Sequence, residues 1–348
     1  MVDSRRLYPH TLAKSLFWFV VNRTGRTWRH TTKNVTRYRR HVLHRARYSG
    51  PGRVMLAVSE VATSPRDAIR RRSVASAYNR AHEDLRLHRD DGYALLPAGS
   101  VAGTDEIVAL SLKLFEDKQR QLEQASGAGG SKKWAFLRSI LTNQDLAQNP
   151  TLVDFALSDS LFSLVTNYLG TIPHLNRIDL LYSVNHGGEE AISSQIYHLD
   201  PEGMRQAKLF MNLREVGPDE GPFTFIPASE TRRIVAAIKQ GRSTDTEMAA
   251  ARYLDHELAA VGGLNKAISV GGPKGSGVLV DTSRCLHFGS RVKPGTYRLC
   301  LYIQYCTSRE HGNLFDYTRY SADPVRYLAT INSRRSAHAA VSAPHQMG

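Results

Sequence analysis

Cysteine is scarce in this 348-residue chain, which has only Cys285, Cys300 and Cys306. Three thiols gathered in the last fifth of the sequence cannot build a disulfide framework, so a reducing, intracellular compartment is expected. Long apolar runs are missing too. No stretch of about eighteen apolar residues occurs, so no segment reads as a membrane-spanning helix. No internal repeat or heptad period is visible, which excludes solenoids and coiled coils. Apolar residues at 41% and charged residues at 22% exclude a disordered chain, and the length is enough to bury a real core.

Acidic residues are nearly absent from the first 53 positions. That arm holds thirteen Lys/Arg against Asp3 alone, so it carries +12 of the chain's net +14 and leaves the body nearly neutral. It contains one short apolar run, Leu16-Phe17-Trp18-Phe19-Val20-Val21. Behind that run, Arg23, Arg26, His30, Lys33, Arg37, Arg40 and His44 recur at spacings of three and four, which lines one face of a helix. An aromatic wedge followed by a basic stripe fits peripheral docking on an anionic membrane surface. Packing of the wedge against the body of the protein is the plainer alternative. The arm is also Arg-rich and acid-poor, as organellar targeting peptides are. It shows no recognised nucleic-acid reading motif, so no specific nucleic-acid partner is expected.

Periodicity divides the rest. Residues 65–87, 105–125, 133–142 and 159–169 read as helices, the last closed by Gly170, with a short buried strand at Gly92–Pro97. From about residue 177 the period falls to two, with strands expected at 177–185, 191–199, 207–216, 222–227, 277–287 and 297–307. A helical insert over 230–265 interrupts them. Helices followed by strands predict a mainly β, α+β fold: a jelly-roll core supported by N-terminal helices. The expected division is a basic arm 1–53, a domain 54–322 and a C-terminal tail 323–348. Within the domain, 54–175 would form a helical buttress and 176–307 the β core.

Two segments carry residues suited to chemistry. In His198-Leu199-Asp200 the imidazole and carboxylate share one strand face, so both can reach one divalent ion. The same pattern at His82-Glu83-Asp84 lies in helical sequence, where i and i+2 diverge by about 200°. A third copy, His88-Arg89-Asp90, lies at the end of a helix. The run Gly277–His287 ends in a histidine, and a Pro294-Gly295 turn then leads into Tyr297–Tyr305. In that last strand Arg298, Cys300, Tyr302 and Gln304 share one face, opposite Leu299, Leu301 and Ile303. A guanidinium on an internal face needs an anion: a bound carboxylate held in bidentate fashion, or a structural salt bridge. Two histidines and one carboxylate from neighbouring strands would make a facial triad of the kind that holds non-haem Fe(II) with open positions.

The order His198-x-Asp200, Asp219-Glu-Gly-Pro-Phe-Thr-Phe-Ile-Pro-Ala-Ser229, His287, Arg298 resembles the phytanoyl-CoA dioxygenase family, a branch of the Fe(II)/2-oxoglutarate-dependent dioxygenases. His88-Arg-Asp-Asp-Gly-Tyr-Ala-Leu-Leu-Pro97 and Tyr168-Leu-Gly170 are similar to family segments as well, and the resemblance covers about residues 88–306. It implies a double-stranded β-helix with Fe(II) on His198, Asp200 and His287. It also implies that Arg298 grips the distal carboxylate of 2-oxoglutarate, the cosubstrate used together with O₂. Gln195, Lys208, Asn212, Ser290 and Tyr302 are further pocket positions, although a solvated edge lysine is the simpler reading of Lys208. Cys285 shares strand parity with His287, and a packed core thiol is its simpler role. The implied reaction hydroxylates an unactivated C–H bond and releases succinate and CO₂, since related halogenases lack the carboxylate that Asp200 supplies. The substrate class is a small molecule or a lipid- or glycan-linked compound, and the expected location is cytoplasmic, peripheral to a membrane. A metal-binding cupin-like barrel that uses no 2-oxoglutarate is the competing reading, as is a nucleic-acid- or membrane-binding protein acting through the arm.

Overall fold

A computed structural model describes residues 65–78, 85–124, 135–188, 190–200, 205–242, 252–308 and 312–331. The basic arm 1–53, the His82–Asp84 pattern and residues 332–348 lie outside the described residues. Among the described residues, no helix is long and apolar enough to cross a membrane.

The chain opens with helix α1 (Pro65–Tyr78), strand β1 (Tyr93–Leu96), helix α2 (Thr104–Gln124) and strand β2 (Leu137–Ser139). Three short helices follow: α3 (Asn143–Gln148), α4 (Thr151–Ala156) and α5 (Asp159–Leu169). Helix α5 shows why the local sequence folds as it does. Leu161, Leu164, Val165 and Tyr168 fall on one buried stripe, Asp159 sits in the first turn, and Gly170 takes φ 68° to close the last turn onto Thr166.

Then come β3 (His174–Val184), β4 (Tyr197–His198), β5 (Gln206–Asn212) and β6 (Phe223–Ile226). Helix α6 (Ala228–Gly241), strand β7 (Arg252–Tyr253) and helix α7 (Asp255–Ala260) lead on to β8 (Ile268–Val270). The last elements are β9 (Gly277–Val280), β10 (Leu286–Phe288), β11 (Tyr297–Cys306) and α8 (Pro324–Thr330). All strand pairs are antiparallel: a large sheet ordered β1-β9-β5-β11-β3-β2 and a small sheet ordered β7-β4-β10-β6-β8. From β3 onward the chain passes back and forth between them. Strands β3, β5, β9 and β11 enter the large sheet, and β4, β6, β7, β8 and β10 the small one. The chain stays in the small sheet from β6 to β8 before β9 returns to the large one, which is the winding of a jelly roll.

The two faces of each sheet separate cleanly. Leu299, Leu301 and Ile303 of β11 and Leu209 and Met211 of β5 pack outward against the helices in the main core. Phe210, Val278, Val280, Cys300 and Tyr302 point inward and meet Phe223, Phe225 and Val270 of the small sheet. The outer face of the small sheet, with Tyr197, Ile226, Tyr253 and Leu286, is covered by Ile234, Val235 and Ile238 of α6 and Leu258 of α7. Strands β5 and β9 lie so close that a Cβ on Gly277 would sit 2.3 Å from the Phe210 carbonyl oxygen, which explains the glycine.

Several expectations change. Of the segment 133–142, the described residues 135–142 are not a helix: β2 pairs with β3, and Ile140 donates to the Leu180 carbonyl. The run 277–287 is not one strand. A turn at Asp281–Arg284 breaks it into β9 in the large sheet and β10 in the small one, with Arg284 and Cys285 N–H both bonded to the Asp281 carbonyl. The strand expected over 191–199 shortens to β4, preceded by a 3₁₀ turn at Ser193–Gln195. Among its described residues, the insert 230–265 holds most of α6, then β7 and α7, and β7 extends the small sheet beside β4. Part of the expected tail belongs to the body, because Leu328 and Ala329 of α8 join the main core. Within the buttress segment, β1 and β2 join opposite edges of the large sheet.

Candidate metal centre

His198, Asp200 and His287 converge between the sheets, each offering a ligand atom within 4.8 Å of the others. His198 and His287 are direct partners across the β4–β10 ladder, which brings their rings to 4.4 Å between centroids. Asp200 follows two residues after His198. Its backbone N–H donates to the Thr282 carbonyl, in the turn where the chain crosses from β9 to β10. The carboxylate therefore faces both rings: Oδ1 is 3.5 Å from His198 Nε2, and Oδ2 is 3.4 Å from His287 Nε2.

The tautomers follow from the second ring nitrogens. His198 Nδ1 lies 2.9 Å from the Ile196 carbonyl and His287 Nδ1 lies 3.0 Å from the Cys285 carbonyl. A carbonyl only accepts, so each Nδ1 carries a proton, and it is Nε2 that each ring turns toward Asp200. Burial lowers the His287 pKa, which favours the neutral form. Burial alone would raise the Asp200 carboxyl, but the Lys208 ammonium beside it holds it well below the usual carboxylate range. Two imidazole nitrogens and one carboxylate whose ligand atoms lie within 4.8 Å of one another fit an Fe(II) ion, with three protein ligands leaving positions open.

The turn that holds Asp200 is anchored from the buttress. Tyr168, at the end of α5, donates to Asp281 Oδ2 at 2.8 Å, and Arg284 Nη1 donates to the Tyr168 hydroxyl at 2.9 Å. The carbonyl of Gly92 accepts the Asp281 N–H. Gly92 takes φ 75°, and a Cβ there would meet Cys285 Sγ at 3.1 Å and Ala228 Cβ at 3.2 Å. The two flanking segments, Asp91-Gly92 and Tyr168-Leu169-Gly170, thus fix the backbone around the centre without entering it. Cys285 is a packed thiol, donating to the Asp91 carbonyl at 3.3 Å, and burial raises its pKa well above the ordinary value.

The remaining site residues divide into two groups. Arg298 is 4% exposed on the inner face, and its Nε and Nη2 have no hydrogen-bond partner. It lies beside Gly289, whose Cβ position would be 3.7 Å from Nη1, just past His287. A buried guanidinium without an acceptor is costly unless an anion completes it. The obvious rival, Arg291, is committed elsewhere: it donates to both Asp255 oxygens, at 2.6 and 2.8 Å, and to the Gln195 carbonyl. Asn212 faces inward with a buried, unpartnered Oδ1, and the Tyr302 ring packs against Phe210 at 5.4 Å.

Gln195 is spent on structure, since Nε2 donates to the Ser290 carbonyl and Oε1 accepts from Ile192. Ser290, at φ 64°, pairs its hydroxyl with Ser183 at 2.8 Å. Lys208 corrects the reading of a solvated edge lysine. It is 5% exposed, and Nζ donates to Asp200 Oδ2 at 2.6 Å. The register explains this: β5 is a central strand, between β9 and β11, and Lys208 lies on its inner face. Sequence reading passed over Ser183, Asn176 and Gln206, although the strand parity of Gln206 matches that of Lys208.

No protein-family model matches the chain, and neither does any curated protein. Among solved structures, it is similar to the epimerase SnoN, crystallised with Fe3+, alpha-ketoglutarate and nogalamycin RO. That alignment has 17% identity over 64% of this chain and 81% of SnoN, with a TM-score of 0.42. EctD from S. alaskensis aligns at 16% identity over 69% of this chain and 80% of its own, with a TM-score of 0.43. AviO1 from Streptomyces viridochromogenes Tue57 aligns at 17% over 64% and 91%, with a TM-score of 0.38. At these identities the likeness is one of chain path, and the chemistry has to be read from the side chains.

Proposed function

We propose that the protein is an Fe(II)/2-oxoglutarate-dependent oxygenase of the phytanoyl-CoA dioxygenase type, hydroxylating an unactivated C–H bond of a small-molecule or lipid- or glycan-linked substrate. The observation that carries this reading is the pairing, in one inter-sheet space, of the His198–Asp200–His287 cluster with the unpartnered guanidinium of Arg298. A metal-binding barrel without 2-oxoglutarate would have no use for that buried cation.

When bound, Fe(II) and 2-oxoglutarate supply activation of O₂, coupled to decarboxylation of the cosubstrate to succinate and CO₂. The chain's own residues do the rest. His198 and His287 would offer Nε2 to the metal, because backbone carbonyls hold their Nδ1 protons and fix the ring orientation. Asp200 is kept ionised, and Lys208 orients it. Arg298, with buried and unpartnered Nε and Nη2, would hold the distal carboxylate of the cosubstrate. Phe210, Phe223 and Phe225 form the apolar wall that keeps water from the reacting atoms. The basic arm would bring the enzyme to an anionic membrane surface.

The test is direct. Purified protein supplied with Fe(II) and 2-oxoglutarate should consume O₂ and release succinate slowly even without a primary substrate. Absence of both succinate release and cosubstrate binding would refute the assignment.

A further inference from the structure

Apart from the metal centre, the helical buttress holds a cavity of about 590 Å³, within the range of small-molecule sites. It lies between α1, the segment 85–89 and α5, and none of His198, Asp200, His287 and Arg298 lines it. Helix α1 rests on α5 through Tyr78, whose ring is 6.2 Å from that of Phe162 and whose hydroxyl donates to Asp159 at 2.8 Å. Arg71 turns inward and donates to the Ile172 carbonyl. Arg72, Ala75 and Ser76, spaced by three and four, share the helix face that borders the cavity. The segment 85–89 is fixed at its far end, where the His88 carbonyl accepts from Gly92 and the Arg89 carbonyl accepts from Arg284.

The charge around this cavity has one sign. Arg72, Arg86 and Arg89 border it together with His88, and no Asp or Glu is among the described residues that line it. Elsewhere arginines find carboxylates: Arg71 pairs with Asp67, Arg242 with Glu257, Arg291 with Asp255 and Arg319 with Asp154. Arg72 and Arg86 engage no carboxylate among the described residues, and Arg89 reaches the Asn167 carbonyl at 3.4 Å. The buried part of the wall adds an unused hydroxyl. Thr166 is 1% exposed, lines the cavity, and has no partner for Oγ1. A helical Ser or Thr can bond back to the preceding turn, as Ser163 does to the Asp159 carbonyl, but Thr166 does not. Ala75, Leu87 and Leu164 supply apolar wall.

Guanidiniums gathered around one cavity focus a positive field into it, and each can grip a phosphate through its fork. A single carboxylate would leave two of the three arginines without a partner. A diphosphate ester carries a charge of about −3 near neutral pH, which matches three guanidiniums, and its organic part can lie on the apolar wall. We propose that this cavity binds the diphosphate group of a small organic ester. The site is separate from the metal centre, and the proposal does not depend on the oxygenase reading.

The experiment is calorimetry on the full chain at about 0.1 M salt, with pyrophosphate, ADP, inorganic phosphate and adenosine as probes. One equivalent of pyrophosphate or ADP should bind, about tenfold or more tightly than inorganic phosphate, and adenosine should not bind. ADP should bind at least as tightly as pyrophosphate. The arm 1–53 is itself strongly basic, so substitutions locate the binding. Arg72→Gln and Arg86→Gln should each weaken ADP by about tenfold, and Thr166→Val should weaken it less. Arg70→Gln, on α1 but outside the cavity lining, should change nothing. Arg72 and Arg86 are exposed, so these variants keep the core intact, and melting curves check it. Absence of diphosphate binding, adenosine binding as tightly as ADP, or ADP affinity that survives the combined Arg72→Gln and Arg86→Gln change would each overturn the proposal. ADP binding much more weakly than pyrophosphate would overturn the ester. Any of these failures leaves the oxygenase reading standing, because that reading rests on the metal centre alone.

Discussion

Replacing Arg298 with methionine should move stability and cosubstrate affinity in opposite directions. The guanidinium is 4% exposed with two unpartnered nitrogens, so in the cosubstrate-free protein it is a desolvated charge with nothing to offset it. Exchanging buried charge for an apolar chain of similar length is commonly neutral or stabilising by about 1–4 kcal/mol. In a domain of this size each kcal/mol moves Tm by about 2–4 °C, so Arg298→Met should melt at or above the wild type. The cosubstrate loses its buried partner, at a cost of about 3–5 kcal/mol, or roughly a hundredfold to several thousandfold in Kd. Arg298→Lys keeps the charge but not the fork, and should fall between the two. Scanning fluorimetry with and without Fe(II) and 2-oxoglutarate reads both quantities. Wild type at a hundredfold excess over Kd gains about 2.7 kcal/mol from the ligand, and Arg298→Met should gain almost nothing. A variant that is much less stable without ligand, yet binds 2-oxoglutarate normally, would show that the guanidinium is structural and refute the reasoning.

Asp200→Ala should lose most of its Fe(II) affinity, measured by metal content after dialysis, and should also lose stability by up to about 3–5 kcal/mol, because the buried Lys208 loses its 2.6 Å ion pair with Asp200. Adding Lys208→Met should restore stability but not metal binding, which separates the two roles. Tyr168→Phe removes a donor from buried Asp281 and should cost about 1–3 kcal/mol in denaturant melts, whereas a change of no more than a few tenths would mean that Ser283 alone satisfies the carboxylate. Arg242, donating to both oxygens of Glu257 at 2.6 Å, holds that carboxyl below the ordinary glutamate range against opposing burial. A lowered folded pKa contributes stability above the unfolded value, about 4.3, and that stability is lost as pH falls through the folded value. Glu257→Gln should therefore lower Tm at neutral pH, with the difference shrinking in acid. For the arm, the full chain should co-sediment with anionic but not neutral vesicles, salt-sensitively, and deletion of residues 1–53 should abolish this. Equal absence of binding in both forms would reject the membrane role.

Alternation made the inner face of the site readable in advance. In Tyr297–Tyr305 and in residues 207–213 the polar and apolar sets separate by parity, and the same sets face inward and outward in the sheets. The His-x-Asp pair was readable for the same reason. Sequence reading failed where tertiary pairing outweighs local preference. Leu137–Ser139 is only three residues of strand, and its form is set by the β3 edge it joins, not by its own composition. The run 277–287 looked continuous because Val278–Val280 and Leu286 are apolar on either side of Asp-Thr-Ser-Arg. That tetrapeptide did carry a signal. Asp281 accepts from the backbone N–H of Ser283, a local bond that favours a turn over a strand. Lys208 was misjudged because a lone lysine usually marks an edge, whereas the sheet order puts β5 at the centre.

The shortened strand at 191–199 and the broken run 277–287 share a physical cause, and it bears on why the centre lies where it does. A sheet interior uses up its backbone groups in the ladder and fixes side chains to two faces, which leaves little freedom to aim several groups at one point. A chain that switches sheets gains that freedom at the crossing. His198 and Asp200 come just before the chain passes from β4 to β5, and His287 comes just after it has passed from β9 to β10. The two crossings are tied to each other by the bond from Asp200 N–H to the Thr282 carbonyl. The second is tied through Asp281 to Tyr168 in the helical buttress. The strand limits that pattern misplaced, in 191–199 and 277–287, therefore lie beside the ligands themselves, because period-two alternation has to stop before three ligand atoms from two strands can meet.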